Sequence, residues 1–199
     1  MAGSLKIEFK IFIGKTESKW VNIRQLLGES PFVVDYYINI KNLNCCCFQG
    51  GYFIDIDGSP WSDDGTVDEF WMTESWLSAL NSIFDGQSTA GAAPWEESNL
   101  SMKREGDVLE LVDISHGGRI TMSKVAVPLF AFTEQMLRES KLFCTWVDEI
   151  RDEINTRRAS GVAEEVEVKF KEIEKQLPGE AFRRDIETLV GKLGNSDAR

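Results

Sequence analysis

An α+β fold, a largely antiparallel sheet packed by two amphipathic helices, is what this sequence predicts, on three observations. Leu5, Ile7, Phe9, Ile11 and Ile13 alternate with Lys6, Glu8, Lys10 and Phe12, the period of two of a half-buried strand. Leu129, Phe132, Met136, Phe143, Val147, Ile150 and Ile154 recur at near-heptad spacing, which marks one long amphipathic helix. Between them lie Leu100 to Arg104, Val108 to Ile114 and Arg119 to Val127, separated by Glu105-Gly106 and His116-Gly117-Gly118, the glycine-bearing turns of a three-stranded meander. The expected sheet has six or seven strands, and a helical hairpin follows at the C-terminal end.

The elements read in order as follows. After the first strand, Gly14 to Ser18 turns the chain into a short second strand at Trp20, Val21 and Ile23, with a helical turn near Leu26. Phe32 to Ile40 reads as a third strand, and Tyr52 to Asp57, after Gly50-Gly51, as a fourth. Thr66 and Glu69 have the spacing of a capping box, so a helix is predicted over Val67 to Phe84, ending at Asp85-Gly86. Its buried stripe is Phe70, Leu77, Leu80 and Phe84, which turns Trp71 outward. Gly86 to Ala93 reads as a small-residue loop ending in Pro94-Trp95-Glu96-Glu97. The long helix, near residues 129 to 157, breaks at Ser160-Gly161. Two shorter helices follow, one carrying Val166, Phe170, Ile173 and Leu177, the other Phe182, Ile186, Leu189 and Leu193, joined at Pro178-Gly179.

A chain of 199 residues has the size for one sizeable core. The organisation expected is an α+β domain over residues 1–158 and a hairpin appendage over 159–199. The narrow apolar faces of that hairpin must be covered by the main body or by another chain, so a homodimer through the C-terminal helices is one expectation. No stretch is apolar enough for a membrane span, and the N-terminal residues lead into a strand rather than a signal-type apolar run. A cytoplasmic protein is expected. Reduced thiols fit that compartment, because Cys45, Cys46, Cys47 and Cys144 lack the paired spacing of a disulfide framework or a zinc site.

The charge is localised. Residues 55–113 hold fourteen acidic side chains against Lys103 and Arg104, a net −12 in a chain of net −11, and four of the six tryptophans lie there: Trp61, Trp71, Trp76 and Trp95. Such a balance disfavours bare nucleic acid and anionic membrane, which need clustered cations, and favours a basic protein partner. Carboxylates steer that encounter, and a desolvated tryptophan anchors it.

Catalytic signatures are weak. His116 is the single histidine, and its neighbours Asp113 and Ser115 lie along one strand, where they do not converge on an imidazole. No phosphate-cradling glycine motif occurs. Asp55 and Asp57, with Asp63, Asp64, Asp68 and Glu69, offer oxygen ligands for a hard cation, but Ser59 and Pro60 break the EF-hand pattern. The sequence therefore predicts a noncatalytic, intracellular binding module without a cofactor. Its concrete form is a bacterial immunity or antitoxin-type inhibitor that occludes a basic toxin such as a nuclease. The expected contact residues are Trp61, Asp63, Asp64, Asp68, Glu69, Trp71, Trp95, Glu96 and Glu97. The alternatives are a carboxylate-based metal-dependent enzyme and a scaffold that self-assembles through its C-terminal helices.

Overall fold

A computed structural model describes residues 4–13, 19–44, 47–62, 68–92, 98–115, 119–120 and 124–196. The class is α+β, as predicted, but the strands form two antiparallel sheets rather than one of six or seven strands. In the first, β1 (Leu5–Ile13) lies between β2 (Lys19–Asn22) and β3 (Gln49–Ile56). Two short segments share the far edge of β3: β4 (Ser59–Ser62) pairs its end and β5 (Asp68–Glu69) its beginning. In the second, β6 (Thr89–Ala92), β7 (Ser98–Glu105) and β8 (Val108–Ser115) form a meander, and β9 (Arg119–Ile120) and β10 (Val125–Pro128) share the outer edge of β8. The split has a chain-order cause. A helix, α2 (Glu74–Phe84), intervenes between β5 and β6, and it packs against β6 and β7, so the later strands pair among themselves.

Three local expectations are corrected. Residues 32–40 do not form a strand, because Ser30–Ile38 is a helix, α1, with proline in its first turn. Its buried residues Val33, Val34, Tyr36 and Tyr37 have helical spacing, and the β-branched and aromatic composition is accommodated because α1 lies against helices, not in a sheet. The helix predicted over 67–84 begins only at Glu74, after a 3-10 turn at Phe70–Thr73. Glu69 is engaged in a ladder with Gln49, so it does not act as a capping residue, and Thr66 lies outside the described residues. Finally, the small-residue loop contains β6, whose Thr89–Ala92 pair with Lys103–Leu100.

The long helix is α3 (Leu129–Ala159), 31 residues or about 45 Å at 1.5 Å per residue. Its aromatic stripe lies under the first sheet: Phe143 stacks on Phe9 with centroids 4.2 Å apart, and Tyr52 shares a 2.7 Å hydroxyl bond with Ser140. Polar residues of α3 also complete β1. Strand β2 pairs only with Lys10–Ile13, which leaves Leu5 to Phe9 with a ladder on one side only. There Gln135 Oε1 accepts from Ile7 N at 2.9 Å, Gln135 Nε2 donates to Leu5 O at 2.8 Å, and Glu139 Oε2 accepts from Phe9 N at 3.2 Å. Two side chains one helical turn apart thus stand in for the missing strand, satisfying backbone groups that burial would otherwise leave unpaired.

The C-terminal hairpin is α4 (Glu164–Gln176) and α5 (Glu180–Ser196). Its stripe of Phe170, Ile173, Leu177, Phe182, Ile186 and Leu189 is buried in the same core as the sheets, with Phe182 edge-on to Phe143 at 5.9 Å. Polar clasps hold it. Arg158 pairs with both Glu167 (2.9 Å) and Glu174 (2.7 Å), and Arg183 pairs with Asp148 at 2.5 Å. Among the described residues no helix is long and apolar enough to cross a membrane.

Candidate functional site

Two acidic segments, one flanked by Trp61 and Trp71 and one containing Trp95, leave the described residues before and after α2 in the chain. Trp61 precedes the first of these segments, and it is an interior residue, 6% exposed, with its ring 6.5 Å from Trp76 in the first turn of α2. Trp76 in turn packs against Tyr52 and Phe132. Trp61 therefore acts as the base that fixes this end of the chain rather than as a surface anchor. On the return side, Asp68 and Glu69 pair with Gly50 and Gln49, and Phe70 folds onto Gly50. A Cβ at Gly50 would lie 2.6 Å from the Phe70 ring, so the missing side chain is what admits that ring. Thr73 Oγ1 donates to Phe70 O at 2.6 Å and ties the 3-10 turn to the helix that follows.

The second segment follows β6. Arg104 lies over the Phe84 ring at 6.0 Å, at the C-terminal end of α2, and Arg104 N donates to Ser88 O at 2.9 Å. Strand β6 starts there, packs on α2 and ends at Ala92. Its antiparallel partner β7 begins at Ser98, and Ala92 pairs with Leu100.

Of the predicted contact residues, Asp63, Asp64, Trp95, Glu96 and Glu97 lie outside the described residues, as do His116, Cys45 and Cys46. Asp68, Glu69 and Trp71 have a described backbone, in β5 and the 3-10 turn, but their side chains lie outside the description. The candidate cation ligands have turn duties. Asp55 Oδ1 accepts from Gly58 N at 2.9 Å, and Asp57 Oδ1 accepts from Ser4 N at 2.8 Å. Asp57 and Gly58 both have positive φ, 56° and 78°, as a two-residue hairpin of the mirror-image type requires. Among the described residues no three His, Cys, Asp or Glu side chains form a metal-holding group. Cys47 and Cys144 are free and half-buried, and burial raises the Cys144 thiol above its ordinary value.

Helix α2 is held from behind by α5. Asn81 Nδ2 donates to Asp185 O at 3.0 Å, and Lys192 reaches both Asn81 O (2.9 Å) and Asp85 (2.8 Å). This contact includes two strained acids. Burial and the charge of Asp185 raise the Glu74 carboxyl, and burial raises Asp185 against the opposing pull of Arg184 and Lys192. A carboxyl raised in the folded state contributes stability that is present below its unfolded value and lost as pH rises through its folded value. Asp185→Asn is therefore expected to stabilise the protein at neutral pH, by at most about 1 kcal/mol because both groups are partly solvated. The gain should vanish below the ordinary carboxyl values of 3.8 and 4.5. Urea unfolding of both proteins at neutral and acid pH checks this, and a gain that persists in acid would refute the charge argument.

Two features carry no clear signal in the local sequence pattern, one on the surface and one buried. Phe12, Trp20 and Phe53 cluster on the outward face of the first sheet at 5.2 Å spacings, with Lys10 Nζ 4.4 Å above the Phe53 ring. The one hint of it is Phe12, an aromatic on an otherwise charged face. Glu139 is a buried acid, hinted at only by its position between Met136 and Phe143, which puts it on the apolar stripe. No family model matches the chain, and comparison with curated proteins and with solved structures yields no match either.

Proposed function

We propose that this protein is a noncatalytic binding protein whose acidic, tryptophan-bearing segments occupy a basic surface on a protein partner. Its concrete form is an intracellular inhibitor of the bacterial immunity or antitoxin type, acting by steric and electrostatic occlusion of a toxin such as a nuclease. The observation that carries this reading is the one-sided charge of the two segments that flank α2 in the chain. Residues 63–67 precede α2 and residues 93–97 follow it, and neither segment contains a cation. No lysine, arginine or histidine occurs anywhere between Lys41 and Lys103. The outward face of the second sheet differs, because there Lys124 pairs with Glu110 at 2.6 Å and Lys103 with Glu105 at 2.7 Å, so charge is locally balanced. A surface of one sign beside aromatic side chains steers and then anchors an oppositely charged partner.

The test begins with tagged protein captured from its native extract at low and moderate salt, and with the isolated companion studied by surface plasmon resonance. A basic companion released by salt is expected. Trp71→Ala should weaken its binding by about 2 kcal/mol or more while leaving the melting temperature close to that of the parent. Reversal of Asp63 and Asp64 to lysine should chiefly slow association and flatten its salt dependence. Binding that is indifferent to all three changes would remove Trp71 and the first acidic segment from the contact.

A further inference from the structure

On the outward side of α3, Glu134, Leu137, Arg138 and Lys141 fall at i, i+3, i+4 and i+7, which places them in one stripe. With Val190 and Leu193 of α5 they line a groove of about 300 Å³. Its floor is apolar, since Leu137 is buried, Leu193 is half-buried and Val190 is 39% exposed. Arg138 turns toward Glu139, with Nε 3.2 Å from Oε1. Glu134 and Lys141 are exposed and have no ion-pair partner among the described residues.

We propose that a second copy of this chain docks here, with α3 antiparallel to α3 about a twofold axis passing between Leu137 and Arg138. An interface of two identical patches must be self-complementary, so that residue i meets j and j meets i. This stripe meets that condition. Antiparallel pairing about its midpoint sets Glu134 opposite Lys141 of the other copy at one end and repeats the pair at the other. It also sets each Leu137 against the aliphatic stem of Arg138 in the middle. Glu134 and Lys141 are seven residues apart, about 10 Å along the axis, so both ion pairs close in one register. Val190 and Leu193 then flank the crossing. The charge order reverses about the midpoint, which a second copy matches and a partner of uniform charge does not. The net charge of −11 repels the two copies at long range, so the contact is favoured at moderate rather than low salt, where that repulsion is screened. The proposal does not involve residues 63–67, Trp71 or residues 93–97, and loss of self-association is measured separately from loss of partner binding.

Analytical ultracentrifugation of the full chain at moderate salt provides the test. The parent is expected to dimerise at high micromolar concentration. Lys141→Glu and Glu134→Lys should each weaken self-association about tenfold or more, because either change turns two attractive contacts into repulsive ones. An equimolar mixture of the two variants should regain the dimer, as should the double exchange Glu134→Lys with Lys141→Glu. Val190→Arg should block it independently of the ion pairs. Circular dichroism melting checks that each variant is folded, which the exposure of all three positions favours. A parent that stays monomeric overturns the proposal. So does a dimer indifferent to the single changes or not restored by mixing, and either outcome would return the groove to some other occupant.

Discussion

Phe143→Ala is expected to lower the unfolding free energy by about 4 kcal/mol, the upper part of the range for a buried phenylalanine whose cavity cannot collapse. Its ring is fully buried and touches four others: it stacks on Phe9 at 4.2 Å and Trp146 at 5.8 Å, and meets Phe70 at 5.4 Å and Phe182 at 5.9 Å edge-on. Those partners come from β1, from α3 itself, from the 3-10 turn before α2 and from α5. Removing the ring thus loosens the first sheet, the frame of the candidate site and the C-terminal hairpin together. Urea unfolding followed by tryptophan fluorescence should show one transition at a lower midpoint. A loss below about 1 kcal/mol would mean that the surrounding rings pack without this one. Because Phe70 leads into the turn that bears Trp71, the variant should also weaken the proposed partner binding, although residue 143 is itself buried.

Glu139→Ala is expected to cost about 3 kcal/mol, from several losses at once. The carboxylate is 1% exposed, accepts from Phe9 N, and pairs with Arg24 at 2.5 Å and Arg138 at 3.2 Å. Truncation leaves an amide of β1 without its acceptor in a place that water does not readily reach. The two arginines are each about half exposed and can return to solvent, so the penalty stays below that of stranding a buried charge. Glu139→Gln separates the contributions. It keeps an acceptor for Phe9 N and loses the charge-assisted bonds, so about half of the stability should be retained. Hydrogen exchange at Phe9 gives the local readout: the Ala variant should lose protection there while Ile11, which lies within the β1–β2 ladder, keeps it. Equal loss at both would show that the residue supports the whole sheet rather than one open edge.

Much of the fold was legible in the chain because some segments carry a pattern that only one structure satisfies. The alternation over Leu5–Ile13, the Glu105-Gly106 turn between β7 and β8 and the repeat from Leu129 to Ile154 each matched the observed element to within a few residues, while the His116-Gly117-Gly118 turn lies outside the described residues. Segments 30–38 and 68–73 were misread for opposite reasons. The first is rich in valine and tyrosine, which suit a strand, yet it is sandwiched by α3 and α4 and takes the helix that buries Val33, Val34, Tyr36 and Tyr37 together. The second has a capping-box spacing, yet Glu69 was claimed by Gln49 of β3, a residue twenty positions earlier.

The candidate site divides in the same way. Its acidity and its tryptophans are properties of the sequence and hold in any conformation. That Trp61 faces inward depends on its packing against Trp76 of α2. The groove beside α3 exists only because α5 lies next to it. Local pattern thus determined what each segment was able to form, since period and turn chemistry act between neighbours in the chain. Tertiary packing decided where sheet pairing stopped, which polar side chains replaced it and which apolar residues were left outside, because those outcomes turn on contacts between residues more than a hundred positions apart.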